Sequence, residues 1–208
     1  MSEHMALENL TVLDLTRVLA GPFCTMMLAD MGANVIKIEV PKGGDDTRGY
    51  PPFRAKNLNG ERESVYFANI NRNKKGITLN LKAPEGKEIF KELVKKADIV
   101  VENYRPGVMD KLGLGYDVLK EINPRIIYAA VSGFGCYGPY HLRPGYDILA
   151  QAMGGMMSIT GSKGGEPTRA GSALGDILGG LHVTIGILAA VNARTITGKG
   201  QRVDVSLM

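Results

Sequence analysis

The chain has little of what marks secreted, metal-binding or nucleic-acid-binding proteins. Only two cysteines, Cys24 and Cys136, occur in 208 residues, which excludes a disulfide framework and fits a reducing cytosol. Cys24 lies in an apolar stretch that favours an inert thiol, and Cys136 has no base near it in sequence. The three histidines, His4, His141 and His182, show no metal-ligand spacing. His182 follows Asp176 by six positions, about 240° around a helix at roughly 100° per residue, which excludes a local Asp–His pair. Charge of one sign is not concentrated either. The net charge is +4 and the basic pairs are Lys74-Lys75 and Lys95-Lys96, too few for a nucleic-acid surface but suited to a small polyanion. Met1 to Leu10 lack an apolar signal core, and the longest apolar stretch, Ile177 to Val191, is interrupted by Gly179, Gly180, His182, Thr184 and Gly186. No signal peptide or membrane span is therefore expected, and the expected location is the cytoplasm. A P-loop, a zinc motif, a serine-hydrolase elbow and internal repeats are also missing.

What is present is an ordinary globular composition, 44% hydrophobic and 22% charged, with 27 glycines and 10 prolines spread as turns. Thr11 to Leu15 reads as a strand, Phe23 to Met31 as a helix stopped at Gly32, and Asn34 to Glu39 as a second strand. That order is a βαβ unit, which implies a parallel sheet with ligand groups gathered beyond the strand ends. The turn Thr16 to Pro22 lacks the spaced glycines of a dinucleotide fingerprint, so Glu39 is only a weak match to a ribose-binding acid. Pro41 to Glu63 is polar and rich in Gly and Pro, and is expected to be one long surface loop.

Asn69 to Lys75 forms a polar, cationic corner before a strand at Gly76 to Leu81, readable as a solvated turn or as an anion contact. Pro84 opens a helix whose apolar face is Ile89, Phe90, Leu93 and Val94. Strands follow at Asp98 to Glu102, Arg125 to Val131 and Gln201 to Leu207, and helices around Val118 to Ile122 and Ile148 to Met157. Asn103-Tyr-Arg-Pro-Gly107 directly follows a strand's carboxyl end, where open α/β sheets place binding groups.

Asp176 follows Gly175 at the start of the longest apolar helical run, with Gly179 and Gly180 three and four residues on. Two compatible readings stand. One is an ordinary N-cap, its oxygen accepting from the first free amides of the helix. The other is an anionic nucleophile in a glycine-lined space, kept charged by the helix N-terminus.

Taken together, Asp14-Leu15 with Arg17-Val-Leu-Ala-Gly-Pro22, Gly32 to Glu39, Asn71-Arg-Asn-Lys-Lys75, Asn103 to Gly107, Gly133-Phe-Gly135, Pro144-Gly-Tyr-Asp147, Gly175-Asp176 and Thr197 to Gln201 resemble the class III coenzyme A transferases. This is the family of formyl-CoA transferase and the carnitine-CoA transferases, and the resemblance runs from about Leu7 to Met208. It implies an α/β fold with a Rossmann-like parallel sheet and helices on both faces. Residues 1–208 would be one CoA-binding domain carrying the Gly-Asp motif, the N-terminal half of a longer family pattern.

The resemblance implies that Asp176 is the nucleophile, forming aspartyl anhydride and aspartyl-CoA intermediates, with Gly175 and Gly179 amides as candidate oxyanion donors. The implied CoA contacts are Val18, Leu19 and Ala20; Asn71, Arg72 and Asn73; Asn103, Tyr104 and Arg105; Lys111; and Tyr146 with Asp147. Arg72, Arg105 and Lys111 would meet phosphate. Val40 stands where relatives such as formyl-CoA transferase have Arg. The implied partners are an acyl-CoA, a small carboxylic acid and a second copy of the chain, with no permanently bound cofactor, nucleic acid or membrane. Two alternatives remain open: an epimerase like the α-methylacyl-CoA racemases, which carry His at the position of Tyr146, or a non-catalytic CoA-binding fragment.

Overall fold

The computed structural model describes residues 4–54, 60 and 62–208. Its elements in chain order are β1 (Thr11–Asp14), α1 (Ala20–Asp30), β2 (Asn34–Glu39), β3 (Phe53–Arg54), β4 (Glu63–Ser64), α2 (Val65–Ile70), β5 (Lys75–Thr78), α3 (Pro84–Val94), β6 (Ile99–Glu102), α4 (Val108–Lys111), α5 (Tyr116–Ile122), β7 (Ile127–Ser132), α6 (Asp147–Met153), α7 (Leu174–Thr197) and β8 (Arg202–Ser206). Six strands form one sheet in the order β5-β2-β1-β6-β7-β8, every neighbouring pair parallel. The order runs outward in both directions from β1 and β6, so the topological switch point lies between those two strands.

Strand side chains alternate between two buried faces. Val12, Ile99, Val101, Ile127, Ala129 and Val131 pack with α1 and α7, while Leu13, Val100, Tyr128 and Ala130 pack with α3, α4 and α5. Helices on both faces explain why the central strands read as near-continuous apolar runs. The expected Rossmann-like α/β sheet is what the chain forms.

Helix α7 packs on α1, β7 and β8. Its glycines are used in that packing: a Cβ on Gly180 would lie 2.7 Å from the Ala20 carbonyl oxygen, and one on Gly179 would lie 2.5 Å from Leu207 Cδ2. This corrects the expectation that Gly179 and Gly180 leave open space beside Asp176. The helix ends at Gly198, which adopts φ 70° and donates to Arg194 O, a turn that favours glycine. By length and composition α7 could cross a membrane, yet Val183, Ile187 and Ala190 are buried in the core against the sheet.

The expected loop at Pro41 to Glu63 is more structured than its composition suggested. Asp45 and Thr47 are buried, a 3-10 turn spans Asp46–Gly49, and β3 pairs with β4. Residues 55–59 and 61 lie outside the described residues. The anchor is electrostatic: Lys37 Nζ, itself buried, sits 2.9 Å from Asp45 Oδ2, and Glu39 accepts from Asp45 N and from Arg48 Nε and Nη2. Glu39 is thereby committed to holding this segment, which replaces the ribose-binding reading.

Candidate active site

A cleft of about 840 Å³ opens across the carboxyl ends of the strands at the switch point. Its walls come from the β1–α1 turn (Arg17 to Ala20), the end of β2 and the segment after it (Ile38 to Asp46), Leu79 to Lys82 after β5, the turn after β6 (Asn103 to Pro106), and Arg143 to Tyr146. Asp176 reaches the same cleft from α7. Among the cations lining it, Lys42, Lys82 and Arg105 have no ion-pair partner among the described residues, while Arg17 pairs with Asp46 at 3.5 Å. One cavity thus joins cationic side chains to the Asp176 carboxylate; of the other carboxylates lining it, Glu39 and Asp45 are held by Arg48 and Lys37, and Asp46 pairs with Arg17.

Asp176 is the third residue of α7, and the N-cap position belongs to Ala173, which makes no side-chain cap. The cap comes from another helix. Asp147, buried at the start of α6, accepts from Gly175 N at 2.8 Å and from Asp176 N at 3.4 Å through Oδ1, and from Gln151 Nε2 at 2.8 Å through Oδ2. Gln151 in turn accepts from Ala170 N at 2.8 Å, so α6 fastens the whole segment before α7. Asp176 therefore does not cap its own helix. Burial, and then the Asp147 charge beside it, push its carboxyl up to about 6. The direction is opposite to the one expected from helix amides, although a carboxyl near 6 remains mostly anionic at neutral pH. Gly175 N is already donated to Asp147, so it is not an oxyanion donor in this arrangement.

Tyr66, on the unforeseen helix α2, faces the same charge. Its phenol is pushed up to about 12 by burial and then by Asp176. Glu102, buried beneath the Asn103 to Arg105 turn, accepts from Tyr104 N at 2.7 Å and Tyr128 Oη at 3.1 Å, and burial pushes it up to about 7. Burial likewise raises Cys24 to about 12 and Cys136 to about 11, as inert thiols.

The sequence matches the family model for CoA-transferase family III over residues 7–208. The chain belongs to CoA-transferase family III. It is 52% identical over 99% of its length to an acyl-CoA transferase of Fusarium pseudograminearum, covering 46% of that protein. It is 50% identical over 96% of its length to the acetyl-CoA:oxalate CoA-transferase of Acetobacter aceti, covering 50% of it. Among solved structures, a CaiB/BaiF family protein from Brucella suis superposes with a TM-score of 0.94 at 46% identity, covering 99% of this chain and 54% of that one. The chain spans about half the length of the curated relatives it matches.

Of the CoA contacts that family III implies, Val18, Leu19, Ala20, Asn103, Tyr104, Arg105 and Tyr146 line the cleft together with Asp176. The others do not. Arg72 ion-pairs with Asp30 and donates to Asn69 O, Asn73 donates to Asp30 Oδ1 at 2.7 Å, and Asn71 accepts from Lys74 Nζ at 2.8 Å. Arg72 and Asn73 thus tie the segment before β5 to Asp30 at the end of α1, while Asn71 holds Lys74, and the expected phosphate contact of Arg72 is taken up by this ion pair. Lys111 is exposed on α4 and is not among the lining residues. Asp147 is the α7 cap described above. The polar stretch that does reach the cleft beside β5 is Leu79 to Lys82, a few residues after the corner singled out in the sequence. A strand's carboxyl end was the available signal, since Lys82 follows β5 as Arg105 follows β6.

Proposed function

We propose that the cleft binds an acyl-CoA and that Asp176 carries CoA between two carboxylic acids. The observation that carries this reading is the one cavity shared by the Asp176 carboxylate and the cations Lys42, Lys82 and Arg105, which have no ion-pair partner among the described residues. Those cations suit a phosphorylated nucleotide at the mouth, and the names of the relatives, CoA-transferases acting on acyl-CoA and carboxylic acids, supply the class of ligand.

Asp176 attacks the thioester carbonyl as a carboxylate, and the C–S bond breaks to give a mixed anhydride and CoA thiolate. The thiolate attacks the aspartyl carbonyl, the donor acid leaves, and an aspartyl-CoA thioester remains. The acceptor carboxylate attacks that thioester and frees the thiolate again. Thiolate attack on the acceptor's carbonyl then yields the new acyl-CoA and restores Asp176. Each step trades one activated carbonyl for another, so electrons and atoms balance without a redox partner.

Asp176→Asn removes the attacking oxygen while keeping the size of the side chain. Transfer from acyl-CoA to a panel of carboxylic acids should fall to background, with CoA affinity by calorimetry changed by less than about threefold. Retained transfer contradicts the assignment. The half-length coverage favours one second reading, in which this chain binds CoA and needs further sequence for transfer. Tight CoA binding by the unaltered chain without any transfer supports that reading.

A further inference from the structure

The cleft wall formed by the β1–α1 turn is held by side chains bonded to its backbone. Five consecutive backbone polar groups, from Thr16 N to Val18 N, are each paired to a side chain. Thr16 N donates to Asp14 Oδ1 at 2.9 Å, and Thr16 O accepts from Lys37 Nζ at 2.9 Å. Arg17 is gripped on both sides by one amide: its N–H donates to Asn103 Oδ1 at 2.8 Å and its carbonyl accepts from Asn103 Nδ2 at 2.6 Å. Val18 N donates to Asp45 Oδ1 at 3.3 Å. The restraining groups come from the ends of β1, β2 and β6 and from the buried segment after β2.

The residue they converge on is in a conformation that needs restraint. Val18 has φ 68°, in the left-handed region where a β-branched side chain is disfavoured. Among the described residues the other non-glycine with positive φ is Asn73, a residue type that tolerates it. A turn at Val18 with no clamp would relax toward negative φ and change the cleft wall lined by Val18, Leu19 and Ala20.

We propose that Asn103 is a positioning residue for ligand binding: it holds the Arg17–Val18 turn in its strained, binding-ready shape, and its effect on affinity passes through that backbone. Asp45 holds the far side of the same turn. The proposal rests on the reading of the cleft as a CoA site, and deepens it by separating groups that touch the ligand from groups that shape its wall. Preorganisation of this kind lowers the cost of binding without adding a contact.

A double-mutant cycle separates the two roles. Val18→Gly removes the strain that Asn103 opposes, because glycine populates positive φ freely. If Asn103 acts through the turn, Asn103→Ala should weaken CoA binding by about tenfold in the native background and by about threefold or less in the Val18→Gly background. The fall in melting temperature caused by Asn103→Ala should shrink in the same way. Equal fold losses of affinity in both backgrounds overturn the proposal and make the Asn103 amide a direct ligand contact. A chain that binds no CoA at all removes the CoA reading of the cleft. The melting cycle still decides the clamp in that case, with equal falls in the two backgrounds overturning it.

Discussion

In the proposed reaction Asp176 attacks as a carboxylate, and a carboxyl near 6 is ionised for the most part at neutral pH. Transfer should therefore rise as pH increases through about 6. The neighbouring Asp147 charge is part of the cause, so Asp147→Asn, which keeps an acceptor for Gly175 N, should move this limb of the pH–rate profile to lower pH. An unmoved limb contradicts the electrostatic coupling. The same shift has a stability cost. A carboxyl whose folded value lies above its ordinary one binds its proton more tightly when folded, so stability from Asp176 and from Glu102 falls as pH rises through about 6 and about 7. Asp14 works in the opposite sense. Burial alone would raise it, but Lys74 and Lys37 with the Thr16 and Thr25 hydroxyls hold it down at about 2, so its contribution is lost only as pH falls from about 4 toward that value. The sequence placed Asp176 at the head of its helix, but its environment comes from Asp147, twenty-nine residues earlier. No local pattern announces such a pairing.

At the scale of elements, the βαβ start was legible because it follows from periodicity and turn residues. Asn34 to Glu39 forms β2 with those bounds, and Pro84 opens α3. Elements fixed by distant ion pairs were not. Lys37–Asp45 and Lys74–Asp14 are buried pairs with 2.9 and 3.0 Å separations, and they turn a polar stretch that reads as solvated into an anchored wall. Arg72 looked like an anion contact until Asp30, forty-two residues away, took it up. The α1–α7 contact rests on the missing Cβ of Gly180, since Ala20 O and Phe23 Cδ1 stand 2.7 and 3.0 Å from where it would be. Gly180→Ala should lower stability: overpacking costs about 1–3 kcal/mol, against a helix-propensity gain of at most about 1 kcal/mol. A urea midpoint that falls supports this packing, and one that rises contradicts it.

For the whole molecule, the parallel sheet with ligand groups beyond its strand ends follows from the βαβ order of the sequence, while the strand order that puts the cleft between β1 and β6 comes from the fold. The outer surface was not. Leu178, Leu181, Ile185 and Ile196 are exposed on α7, with Ile185 62% and Ile196 83% accessible, and Ile148, Leu149 and Met153 are exposed on the adjoining α6. Spacings of three and four residues put Leu178, Leu181 and Ile185 on one helix face, and a contiguous apolar face of this kind favours association. The chain should self-associate with rising concentration in sedimentation velocity, and Ile185→Glu should reduce that association while leaving the melting temperature within a few degrees. A chain that stays monomeric across the range contradicts it.

The covalent role proposed for Asp176 has the most direct test. After incubation of the chain with a panel of acyl-CoA donors, acid quenching and proteolysis, mass spectrometry should find CoA joined as a thioester to the peptide containing Asp176, and the adduct should disappear in Asp176→Asn. An adduct that survives that substitution, or turnover without any adduct on this peptide after rapid quenching, contradicts the account.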